Sequence, residues 1–156
     1  GISIGSLYQY FDNKEDLYEA VLERIVEKLI ALVEKQSLTK EPFTLSVWVT
    51  TLLNDVWDFL EADNGLYLQV VRNWSQLDFV SGMDVLEQKM LSVLSVYLLQ
   101  QPTRISSNTG DLPARLYILT NSILFTLLRY ISKPSPLVSR QALIAEFASM
   151  VERSLL

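Results

Sequence analysis

The sequence predicts an all-α protein, and three observations carry that reading. Apolar residues recur at spacings of three and four along most of the chain, the period of one helix face. Ser, Asn, Asp, Pro and Gly fall at intervals that suit helix starts and stops. No alternating run bounded by turns reads as a strand.

The elements follow in order. Ser3 can cap a short helix from Ile4 to about Phe11. Asn13 caps a second helix that runs to about Gln36, with Glu15 and Asp16 in its first turn, where carboxylates favour the helix dipole. Leu17, Val21, Ile25, Leu29 and Leu32 form its apolar face, and Ser37 to Pro42 interrupts it. A third helix runs from about Phe43 to Glu61, with Val49, Leu52, Leu53, Val56 and Leu60 inward.

Asp63-Asn64-Gly65 stops that helix. Asn-Gly is also a hairpin signal, but the flanks have helical period, so the triplet reads as a C-cap. Leu66 to about Gln76 forms a fourth helix. Asp78 or Ser81 opens a fifth, through Leu86, Met90, Leu94 and Tyr97 to about Gln101, and Pro102 to Gly110 is a long polar loop. Asp111 caps a sixth helix with Pro113 in its first turn, where proline is tolerated. Ser135-Pro136 reads as a cap followed by proline at the first helical position, so the last helix should run from there to about Leu155.

Two of these helices are apolar on more than one face. From Leu116 to Leu128 only Thr120, Asn121, Ser122 and Thr126 relieve the apolar surface, and a helix apolar all round must be buried all round. The last helix carries one line of Leu137, Ile144, Ala148, Val151 and Leu155, and a second of Leu143, Phe147 and Met150. A well-buried central helix is one explanation. The other, which we favour, is a two-fold contact between subunits, with Leu124, Leu128, Leu143, Phe147 and Met150 as interface candidates.

Composition limits the chemistry. The 156 residues suit one domain and contain neither cysteine nor histidine. That excludes a disulfide framework, a thiolate zinc site, a cysteine nucleophile and any histidine-dependent triad from these residues. Thirteen basic against eighteen acidic residues leave a net charge of −5, a poor generic match for a phosphate backbone. No apolar run reaches the ~20 residues of a membrane helix, and the first residues lack the basic start and apolar run of a signal peptide. We therefore expect a cytoplasmic protein that does not enter a membrane. The chain opens on Gly1, which we read as the start of a piece of a longer protein.

The most specific segment is the first. Gly1-Ile2-Ser3-Ile4-Gly5-Ser6-Leu7-Tyr8-Gln9-Tyr10-Phe11 is followed by Asp12-Asn13-Lys14-Glu15-Asp16-Leu17. This resembles the TetR/AcrR family of bacterial transcription regulators, at the end of their helix-turn-helix. The family pattern is a small residue and a hydrophobic one, Ser, a short variable stretch, an aliphatic-Tyr pair, Tyr or His before Phe, then Lys-Glu opening the next helix. Each step is met here. The rest of the chain matches only in its helical layout.

The resemblance implies two parts. Residues 1–36 would be the remnant of a DNA-binding domain, with a recognition helix over about 4–11 and a connecting helix over about 14–36. Residues 43–156 would be a ligand-binding and dimerisation domain. In a helix-turn-helix the second helix lies in the major groove. Gln9 then suits a bidentate pair with adenine, and Ile4, where the family often has a basic residue, suits a thymine methyl. Ser3, Ser6, Tyr8 and Tyr10 suit phosphate contacts, which position without specifying. Lys14 opposes the dipole of the helix it opens, a locally unfavourable placement that a bound phosphate would turn to advantage.

The family also implies a preceding pair of helices, some ~30 residues or more upstream of Gly1. Residues 1–11 hold no charged group, so we expect that upstream segment to be basic and residues 1–156 alone not to bind operator DNA. Glu15, Glu19, Glu23 and Glu27 repeat at every fourth position; without histidine they read as a solvated face, or as a partner for basic residues upstream.

By the same resemblance the C-terminal helices hold a small-molecule effector that spreads the two heads of a homodimer and releases operator DNA. Candidate pocket residues are Leu53, Trp57, Tyr67, Arg72, Trp74, Tyr97, Asn121 and Phe125. Arg72 and Asn121 discriminate: unpaired in a cavity they imply a polar or anionic ligand, paired with protein they imply an apolar or aromatic one. No catalytic residues, metal ligands or cofactor are expected, because no phosphate loop or nucleophile elbow appears. The alternative to a regulator, here read as a repressor, is a helical dimerising or protein-interaction module that does not bind DNA.

Overall fold

A computed structural model describes residues 14–37, 44–73, 79–99 and 110–156. The expected recognition helix lies outside these residues, as do Asn13, Trp74 and nearly all of the polar loop before Asp111. Among the described residues there are five helices and no strand, so the all-α class holds.

Helix α1 (Lys14–Ser37) buries Leu17, Val21 and Ile25, while Leu29 and Leu32 pack half-buried against the same core. Helix α2 (Leu45–Arg72) opens at Thr44, whose hydroxyl accepts from the Val47 N–H at 3.4 Å. It is broken at the expected triplet. Asp63, Asn64 and Gly65 have φ of 50°, 56° and 77°, all in the left-handed region, and they separate two right-handed limbs. Asn and Asp tolerate that region better than most residues, and Gly has no Cβ to clash. The second limb ends at Arg72 rather than about Gln76. Asn73 leaves the helix, and its side-chain amide donates to the Gln69 carbonyl at 2.7 Å.

Helix α3 is Phe79–Leu99. Helix α4 (Leu112–Ser132) starts as expected, with the Asp111 carboxylate accepting from the Ala114 N–H at 3.2 Å. Helix α5 (Arg140–Leu155) starts later than expected, under a Ser139 cap that accepts from the Ala142 N–H at 3.1 Å. Ser135 and Pro136 belong to a separate turn, in which the Ser135 hydroxyl accepts from the Leu137 N–H at 3.3 Å. The Tyr130 hydroxyl donates to the Val138 carbonyl at 2.8 Å and ties this segment to the end of α4. Leu137, expected on an inner face, is 92 % exposed as a result.

The packing order closes a ring. α1 packs on α2 and on α3, while α4 packs on those same two helices from the other side. α5 docks outside the ring on α2 and α4. Arg140 at its start reaches Asp58 and Glu61 of α2, each at 3.3 Å, with its guanidinium 5.0 Å from the centre of the Trp57 ring. At its far end the Ser154 carbonyl accepts from Arg115 of α4 at 2.9 Å. α1 through α5 share one apolar core.

Candidate functional site

The ring encloses a cavity of about 80 Å³ between α1, α2, α3 and α4. α1 contributes Ile25, Leu29 and Val33, one residue per turn. α2 contributes Leu52, Leu53, Val56 and Leu60. From α3 come Met83, Leu86 and Met90, and from α4 Ile123, Leu127 and Leu128. Every side chain in the wall is a hydrocarbon or a thioether. Val26, Val56 and Leu124 in that wall are only half-buried, so the cavity is not sealed within the core.

Of the described residues expected to line a pocket, Leu53 stands in this wall and the others do not. Trp57 is buried on the side facing α5, edge-on to Tyr130 with ring centres 5.5 Å apart. Tyr67 is buried against Phe59, ring centres 4.5 Å apart, and its hydroxyl accepts from Arg24 Nε at 3.2 Å. Arg72 Nε donates to the Ile131 carbonyl at 3.3 Å, and the Asn121 amide donates to the Tyr117 carbonyl at 3.0 Å. Both discriminating polar groups therefore have protein partners. Tyr97 packs half-buried against the core, and Phe125 is 47 % exposed on the outside of α4. Trp74 lies outside the described residues.

A second, open cleft lies between α1 and the α2 break, lined by Arg24, Glu27 and Lys28 on one side and Phe59, Asp63 and Tyr67 on the other. It holds two cations and two carboxylates, so its field favours neither sign of ligand. Glu19, Glu23 and Glu27 are exposed along α1, and among the described residues no three acidic groups are placed to hold a metal.

The interface candidates divide. Met150 is 42 % exposed and Leu143 half-buried, but Leu128 and Phe147 are 5 % and 6 % exposed and have little surface left for a partner. Leu124 is half-buried and lines the cavity. The expectation that the 116–128 helix is buried all round fails in the single chain, because Tyr117 and Ile118 stand 56 % and 61 % exposed beside Phe125. Of the DNA-contact candidates, Ser3, Ile4, Ser6, Tyr8, Gln9 and Tyr10 lie outside the described residues, and Lys14 is the first residue of α1.

No protein-family model, curated protein or solved structure matches the chain significantly. No described helix is long and apolar enough to cross a membrane.

Proposed function

We propose that the chain is the ligand-binding and dimerising body of a DNA-binding transcriptional regulator, of the TetR/AcrR type that its first residues resemble. One observation carries the reading. α1 begins at Lys14, directly behind the recognition-helix motif, and eleven residues later Ile25 forms part of the cavity wall. A molecule entering the cavity must displace side chains of the same helix that leads to the DNA-reading segment. Its binding energy then couples to the position of that segment, which is what a ligand-released repressor requires.

The other parts agree with this role. The body has helices and no strand among the described residues, with an apolar cavity inside and an apolar strip on the outside of α4. A second copy on that strip would supply the homodimer, and two copies would read two half-sites about one helical turn apart. The effector is a small molecule, and operator DNA is the second partner.

The test is selection of binding sites from a random duplex library by the protein expressed from its complete reading frame. Enrichment of a two-fold symmetric site, bound by a dimer, supports the proposal. Recovery of no preferred sequence at physiological salt overturns it.

A further inference from the structure

We propose that the cavity selects a small, uncharged, hydrocarbon-like ligand, either a short aliphatic chain or a simple aromatic hydrocarbon, and rejects ligands that carry a charge. This rests on the reading of the cavity as the effector site and adds the chemistry of the effector.

The wall offers no donor and no acceptor. Arg72, Asn121 and Tyr67, three polar groups on the helices around it, are turned to protein partners at 3.3, 3.0 and 3.2 Å, and the buried Thr120 of α4 is not in the wall. A carboxylate or ammonium in this space would lose its water and gain nothing in return. A hydrocarbon gains by leaving water and by contact with closely placed carbon atoms.

Size sharpens the choice. At about 80 Å³ the cavity is smaller than the apolar cavity of about 150 Å³ that takes benzene in another helical protein. Met83 and Met90 are seven residues apart on one face of α3, and both are in the wall. Their unbranched thioether chains can move aside where Leu or Ile could not, so the wall enlarges on the α3 side. A slender or flat apolar molecule fits that adjustment.

The three methionines make the test direct, because Met83 and Met90 line the cavity and Met150 stands 42 % exposed on α5. The full chain is labelled at its methionine methyl groups and titrated with toluene, then with benzoate. Toluene is expected to shift the Met83 and Met90 signals saturably and leave Met150 in place, and benzoate to bind at least about tenfold more weakly. Unmoved Met83 and Met90 with toluene, or equal shifts with benzoate, would overturn the ligand class. The DNA selection above is read separately. Toluene binding without any operator sinks the regulator and keeps the ligand class; an operator with a cavity indifferent to toluene does the reverse.

Discussion

Gly82 of α3 lies so close to Val26 of α1 that a Cβ placed on it would stand 2.9 Å from Val26 Cγ2. Val26 also lines the cavity, so this contact sets how near α3 comes to α1 at the cavity wall. The valine is β-branched and cannot swing away as a longer side chain could. Gly82→Ala should therefore destabilise the protein although alanine is the better helix former by up to ~1 kcal/mol. Overpacking costs of ~1–3 kcal/mol exceed that gain, and the melting temperature should fall by a few degrees. Val26→Ala in the same chain should recover part of the loss. A Gly82→Ala variant that melts at or above the parent would show that the contact has room.

The break in α2 makes a different glycine prediction. Gly65 has φ of 77°, and nothing lies within 4 Å of the place a Cβ would take. Space is free and conformation is the constraint. Gly65→Ala should cost about 1 kcal/mol through the left-handed backbone alone. Gly65→Asn should cost less than Gly65→Ala, since Asn already occupies that region next door at Asn64. Thermal melts of the two variants decide it, and equal losses would show that tolerance of the left-handed region is not what separates them.

Thr120 of α4 is fully buried, and its hydroxyl has no hydrogen-bond partner. An unsatisfied buried hydroxyl costs about 1–3 kcal/mol. Thr120→Val keeps the shape and removes the orphan group, so it should stabilise the fold by about 1 kcal/mol. Thr120→Ser keeps the hydroxyl and deletes a methyl, and it should destabilise. Denaturant titrations of both separate the hydroxyl from the packing; a destabilised valine variant would mean that the hydroxyl has a partner after all.

Arg140 anchors α5 through charge and through stacking, and the two contribute unequally. Asp58 and Glu61 are 72 % and 51 % exposed, so each ion pair is worth little after solvent screening. The Trp57 ring beneath the guanidinium is buried, and a cation over a desolvated ring contributes more, about 1–2 kcal/mol. Asp58→Asn should change stability by less than about 0.5 kcal/mol. Arg140→Lys, which loses the planar stack, should cost about 1 kcal/mol. A double-mutant cycle of Arg140→Lys with Trp57→Phe measures the coupling, and zero coupling would assign the anchor to the carboxylates.

The parts of the fold that were legible in the sequence are those set by local chemistry. Asp111 with Pro113 after it, and Asp63-Asn64-Gly65, each act through their own backbone within a few residues, and both appear where the residues place them. The start of the last helix was misplaced because Ser135 and Ser139 are both good caps. The choice between them involves Tyr130, which holds Val138 from another helix. The cavity was illegible for a related reason. Periodicity tells that Ile25, Leu86 and Leu127 face inward, but not that their neighbours leave space among them. The aromatic and polar residues chosen as pocket candidates were instead engaged elsewhere, Trp57 by Arg140 and Tyr67 by Arg24. Two methionines on one face of α3 were the available signal, since Met suits irregular gaps.

The outside of α4 carries the prediction about assembly. Ile118 and Phe125 are seven residues apart on one face, 61 % and 47 % exposed, and Tyr117 beside them is 56 % exposed. No charged residue interrupts 116–128. If a second copy covers this strip, a charge placed at its centre opposes itself across the two-fold axis and must also lose its water. Ile118→Glu with Phe125→Glu should turn a dimer into a monomer in sedimentation equilibrium. Neither side chain belongs to the buried core, so helicity and melting of the single chain should change little. A parent chain that already sediments as a monomer would remove the two-fold contact, and an unfolded double variant would show that the strip supports the protomer itself. In the second case half-buried Leu143 and exposed Met150 on α5 would be the remaining candidates for the interface.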